Sequence, residues 1–288
     1  MKIKYKATPC VLHFYLRNIY VKYTFFYIFF YIKICEYLHK NYIICKYYVI
    51  KNVIICKYYV IKNRVIIMII AVGHTKGGVG KSTLAIQIAS YLKHKRLYRP
   101  NIWLVDADSQ RSASKALIER NSSNLYTKIA AASYTEGKEL FQQISNQEHL
   151  WNDIIIDIGA RDSDTFRSAL MKADLLVIPV MPRVFDLEAL NELYAVLEGA
   201  WGVGASFEAC AVLSCADQNA TTNQEAIEYI TTNFPKIKYI DAPVMRRKAT
   251  GLASASGLSV FESKPVDKKA CAEIEKLVET IYPEPKEE

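Results

Sequence analysis

GHTKGGVGKS, residues 73–82, follows directly on the apolar run MIIAV, residues 68–72, and the reading of the chain turns on that junction. A chain leaving a buried strand here must turn tightly and open a helix while aiming backbone N–H groups inward. Gly77, Gly78 and Gly80 tolerate positive φ and let an anion approach the main chain. A helix beginning near Lys81 adds the positive end of its dipole. Such a loop cradles a polyphosphate: Lys81 reaches the β- and γ-phosphates, the Ser82 hydroxyl takes Mg²⁺, and Val79 and Thr83 complete the cradle.

Working outward, short apolar runs alternate with longer amphipathic ones. MIIAV leads into a helix from about Lys81 to Lys95, NIWLVDA into a polar helical stretch, DIIIDI into FRSALMKA, and DLLVIPV into LEALNELYAVLEG. ACAVLSC, EAIEYITTNF and a closing helix over about 266–281 follow. β-Branched runs bounded by helices predict parallel strands covered on both faces, hence a doubly wound α/β domain. In the closing helix Val266, Ala270, Ile274, Leu277, Val278 and Ile281 form the core-facing stripe. Cys210, Cys215 and Cys271 lack paired spacing and read as small buried hydrophobes in a reducing compartment.

The strict pattern G-x-x-x-x-G-K-[ST] fails at Thr75, and K-G-G-x-G-K-S stands in its place. This loop resembles the deviant Walker A motif of the ParA/MinD family of P-loop ATPases. WLVDADSQ (103–110) is similar to that family's second motif, with Ser109 where Pro is usual, a change that puts the turn geometry in question. DIIIDIGARDS (153–163) resembles its Walker B strand, and VMRRKATGLASASGLSVFE (244–262) its segment in which a basic pair precedes a helix and a G-x-S-V-x-E ending. The resemblance runs from Met68 to about Glu262.

It implies an ATPase in which Lys76 crosses a nucleotide-sandwich homodimer to the partner's phosphates. Lys76, Lys81 and Asp108 then carry catalysis, Asp108 positioning the attacking water. Ser82, Asp106 and Asp157 serve the Mg²⁺ and its waters. Arg161 and Asp162, just beyond, read either as switch residues or as a loop salt bridge. With His74, His94 and His149 scattered, nothing suggests a His-activated nucleophile, so the chemistry is phosphoryl transfer to water by positioning and charge.

As a partition ATPase the chain would be cytoplasmic and nucleoid-associated, bind nonspecific DNA with ATP through Arg246, Arg247 and Lys248, and be released by a ParB-like centromere-binding partner. A MinD-like membrane-bound positioning ATPase is the alternative; it would want a basic amphipathic tail, and the chain closes with PEPKEE. Nitrogenase-iron-protein-like reductases and biosynthetic ligases share the loop, but Cys210 and Cys215 fall by a strand, away from the position a cluster needs.

Residues 1–67 differ in kind. They hold no Gly, Asp, Gln or Trp, yet contain 12 of the 20 Tyr and 12 Lys and Arg against the single Glu36. Beyond them stand 25 basic and 28 acidic residues, so the formal +8 belongs to this leader and argues nothing about nucleic acid. YIICKYYVIKN (42–52) repeats at once as VIICKYYVIKN (53–63). Residues spelled by A/T-only codons in tandem suggest an AT-rich upstream segment read in frame, with native translation from Met68. The competing reading is a membrane segment at TFFYIFFYI (24–32), which Lys22 and Lys33 bracket at about half the ~20 residues a spanning helix needs.

Overall fold

The structure, a computed structural model, describes residues 43–50, 53–60, 67–96, 100–217 and 220–282. The chain divides into two compact units, Met1–Ile66 and Ile67–Glu288. In the first, the repeat copies pair with each other as antiparallel strands β1 (Ile43–Ile50) and β2 (Val53–Val60). The apolar run 24–32 and the tail 283–288 lie outside the described residues.

The second unit is built on β3 (Met68–Val72), β4 (Ile102–Ala107), β5 (Ala130–Ser133), β6 (Asp153–Ile158), β7 (Leu175–Val180), β8 (Glu208–Ala216), β9 (Ile237–Tyr239) and β10 (Val244–Met245). The spatial order is β10-β8-β7-β3-β6-β4-β5 with β9 also against β8, and every ladder is parallel. The doubly wound expectation is met. All six residues of β4, β6 and β7 are buried, which is why these strands read as continuous apolar runs rather than alternating ones.

One face is covered by α1 (Lys81–Lys95) and α2 (Ser112–Ser122), the other by α3 (Gly137–Gln147), α4 (Asp164–Lys172), α5 (Val184–Gly202) and α6 (Ala220–Asn233). Two further helices, α7 (Lys248–Ala255) and α8 (Lys268–Ile281), join the α1 face. α1 spans the predicted residues, since Gly80 starts it and Lys93, His94 and Lys95 complement its carboxyl end. Among the described residues no helix is long and apolar enough to cross a membrane.

Two core expectations are corrected. Val266 is not in the α8 stripe: the Asp267 carboxylate accepts from the Lys269 and Ala270 amides and starts the helix two residues later, at Lys268, leaving Val266 exposed. Cys215 is not a buried hydrophobe; it is half-buried with φ 49, because the β8–β10 register slips between Ser214 and Ala216 and Cys215 is the bulged residue.

The G-x-S-V-x-E ending proves structural. Gly257 holds φ 67 with Ala116 O 2.4 Å from where a Cβ would stand, and Val260 is fully buried. Glu262 takes two 2.8 Å bonds from Arg120, a guanidinium sealed from solvent that also donates to Gly257 O and Thr127 O. The segment thereby locks α2 to the α7–α8 connection.

Candidate nucleotide site

β3 ends beneath the loop that opens α1, and the neighbouring strands bring their carboxyl ends to the same edge. Asp106 on β4 and Asp157 on β6 are register partners, as are Asp157 and Val72 on β3. Over this edge lies a cleft of about 770 Å³ lined by Gly77, Gly78, Gly80, Lys81, Ser82 and Thr83 on one side. Asp108, Thr135, Ala160, Arg161 and Asp164 line the rest. This is where a parallel sheet binds ligands. A shallower depression lined by Trp201, Phe207, Lys236 and Lys238 lies at the amino ends of β8 and β9, the opposite edge.

The three loop glycines are not equivalent. Gly78 and Gly80 adopt φ 77 and 96, whereas Gly77 has no positive φ and a Cβ there would only touch Ala160 at 3.8 Å, so its expected conformational role is not seen. At Gly80 a Cβ would come within 2.6 Å of Ser214 Oγ, so β8 closes that side of the turn. Val79, expected in the cradle, is fully buried and does not line the cleft. His74, also buried, accepts from the Lys76 amide through Nδ1 at 3.0 Å. Burial first, then Lys81 and Lys76, push its pKa down to about 3, so it is neutral, with Nε2 carrying the hydrogen and lacking a partner.

Lys81 is buried and donates to Lys76 O at 2.7 Å; burial lowers its pKa against the pull of Asp157 and Asp108. The carboxylates divide the work. Asp106 accepts from the Asp108 amide at 3.1 Å and the Ser114 amide at 2.7 Å, so both its oxygens shape the turn carrying Asp108. That turn closes without the usual proline: Asp108 Oδ1 accepts from the Gln110 amide and Asp108 O from the Arg111 amide, both at 2.9 Å, with Arg111 at φ 54. Asp108 itself is half-buried at the cleft wall.

Asp157 is fully buried; neither oxygen has a partner in good hydrogen-bond geometry, although the Ser82 hydroxyl stands close enough to act on it. Burial pushes its carboxyl up to about 8, the Ser82 hydroxyl pulling the other way and the charges of Asp106 and Asp108 adding to the rise. A buried orphan carboxylate costs about 1–3 kcal/mol unless something compensates it. A hydrated divalent cation fits that need; Asp157 itself lies behind the cleft lining, and Ser82, which acts on it, is the one of the two that lines the cleft. Among the described residues no three His, Cys, Asp or Glu side chains gather to hold a metal, so a cation here would complete its shell from water and phosphate oxygens.

Lys76 does not line the cleft. Its ammonium pairs with Asp186 of the first turn of α5 at 3.0 Å. Asp186 carried no signal in the sequence beyond being an acid near a helix start. Asp162 resolves as a salt bridge, but to Arg167, through bonds of 2.9 and 2.6 Å, rather than to Arg161. In the basic segment Arg246 and Lys248 are exposed, while Arg247 is bound by Glu273 through contacts of 2.6–3.1 Å and holds α8 to the β10 end.

A family model described as an AAA domain matches residues 67–149. Maintenance of carboxysome distribution protein A from Halothiobacillus neapolitanus is 25% identical over 218 residues, 74% of this chain and 96% of that protein. Protein ParA from Rhizobium radiobacter is 28% identical over 118 residues, 41% of this chain and 50% of that one. Among solved structures, the septum site-determining protein MinD of Pyrococcus horikoshii, complexed with Mg-ADP, superposes with TM-score 0.59 at 18% identity, over 76% of this chain and 97% of that one. Together with the two-lysine loop between a buried strand and α1, and carboxylates at the ends of β6 and β4, these similarities support a ParA/MinD-type P-loop ATPase.

Proposed function

We propose that the unit from Met68 onward is an ATP-dependent dimerising switch that positions a replicon or other cargo, with residues 1–67 outside the working domain. ATP binds in the cleft with Mg²⁺. The dimer holds nonspecific DNA, and hydrolysis, stimulated by a ParB-like partner, releases it. The observation that carries this reading is the division between two lysines of one loop: Lys81 is buried beneath the cleft and Lys76 is turned out of it.

In this reading the Gly77–Thr83 main chain and the α1 amino end cradle the α- and β-phosphates. Ser82 and Asp157 hold the Mg²⁺, which neutralises charge on the phosphates. Asp108, its turn braced by Asp106, orients water toward the terminal phosphorus. The bond to the bridging oxygen breaks as the water oxygen adds, giving ADP and phosphate. Lys76 leaves Asp186 to meet the partner copy's phosphates, so loss of the terminal phosphate weakens the dimer. Arg246 and Lys248, exposed at the start of α7 and doubled by dimerisation, supply the DNA contacts.

Retention on nonspecific duplex DNA with ADP, ATP and a nonhydrolysable analogue tests the whole scheme. Retention with ATP and the analogue, lost with ADP and lost in Lys81→Ala, is expected; equal retention in all states rejects the switch.

A further inference from the structure

The loop that follows β6 is held at both ends of its exposed crest. On the far side Arg167 grips Asp162 through two bonds of 2.9 and 2.6 Å, and the Ser163 hydroxyl caps α4 by accepting from the Phe166 amide at 3.2 Å. Asp164 then ties the loop to α3 by accepting from the Gly137 amide at 2.8 Å, a junction so close that a Cβ on Gly137 would lie 2.5 Å from Asp164 O. On the near side Gly159 packs against Asp108, whose Cγ would stand 3.4 Å from a Cβ placed there. Between these anchors Arg161 lines the cleft, is exposed, and makes no ion pair or side-chain hydrogen bond with any described residue.

Lys81 and Arg161 are the two cations of the cleft lining, and they come from two different loops: Lys81 from the glycine loop and Arg161 from the loop beside Asp108. A guanidinium keeps its charge at any working pH and offers a planar fork of donors suited to phosphate oxygens. Its solvent-facing neighbour Asp162 is the acid that would otherwise neutralise it, and Arg167 occupies that acid. Resting on the nucleotide reading above, we infer that Arg161 is a further catalytic residue. It binds the terminal phosphoryl group of a nucleoside triphosphate from the loop beside Asp108, and so distinguishes triphosphate from diphosphate and stabilises the charge that spreads over that group during transfer.

The test is a comparison of Mg-ATP and Mg-ADP affinities of the full chain by titration calorimetry, for wild type, Arg161→Gln, Arg161→Lys and Lys81→Ala, with single-turnover hydrolysis as a second readout. Arg161→Gln is expected to leave ADP affinity within about twofold while weakening ATP about tenfold or more, the size of a lost charge-assisted bond. Arg161→Lys should recover part of the difference, and turnover should fall with the ATP preference. Because the side chain is exposed and unpaired, the melting temperature should not move. An unchanged ATP-to-ADP ratio in Arg161→Gln overturns the inference, as does an equal loss for both nucleotides. Undiminished binding of both nucleotides by Lys81→Ala would instead overturn the placement of the site itself.

Discussion

Lys76 and Asp186 form an ion pair at 3.0 Å between the glycine loop and the first turn of α5, with the carboxylate buried and the lysine one-third exposed. In the proposed dimer the same ammonium is needed elsewhere, so Asp186 competes with the partner's phosphates for it. A partly exposed pair is worth about 0.5–1 kcal/mol. Each dimer breaks two such pairs, so Asp186→Ala should form ATP dimers at roughly five- to thirtyfold lower protein concentration, whereas Lys76→Ala should bind ATP but stay monomeric in sedimentation. Identical dimerisation curves for wild type and Asp186→Ala would remove the competition.

Asp157 sets a pH dependence. Its carboxyl, pushed up from 3.8 to about 8, keeps its proton in the folded protein while the unfolded chain loses it. Between those values the folded state binds one proton more, so this group's contribution is fully present below about pH 4 and is lost as pH rises toward 8. Without nucleotide, Asp157→Asn should flatten the fall in melting temperature over that range and melt higher than wild type near about pH 7.5. Mg²⁺ should bind wild type more tightly as pH rises and release a proton. Parallel melting curves across the pH range would count against an orphan carboxylate.

Glu262 is structural rather than functional. Replacing it with Ala leaves the sealed Arg120 guanidinium without its counter-charge and should cost about 3–5 kcal/mol in urea unfolding. Nucleotide affinity at a temperature where the variant remains folded should be close to wild type.

The basic pair separates in the same way. Arg246→Glu should weaken DNA retention and lower the salt slope by about one for each DNA phosphate that is no longer neutralised, with ATP hydrolysis unaffected. Arg247→Glu sets a second acid against Glu273 and should lower the melting temperature as well. Salt slopes measured for both variants decide; an unchanged slope in Arg246→Glu moves the DNA surface elsewhere.

Much of the architecture was legible because it is locally encoded. β3, β4, β6, β7 and β8 are buried on both faces and so announce themselves as apolar runs, and the two-lysine glycine loop needs only its own ten residues to specify a strand-to-helix anion cradle. The edge strands were not legible. β5 is AAAS, and β9 and β10 are three and two residues long, stabilised by their ladder partners rather than by any pattern of their own.

Chain chemistry alone therefore settles the fold and names the loop, three aspartates and a basic pair. Which member of each set is spent on structure depends on neighbours that chain order does not reveal. Asp106 accepts from two amides of its own turn while Asp157 is buried without a well-formed partner; Arg247 is taken by Glu273, 26 positions away; Arg161 stands free beside an acid that Arg167 holds. The reason is electrostatic: a charged side chain acts on a ligand only if the fold supplies no nearer counter-charge, and the counter-charges come from elements that only packing brings alongside.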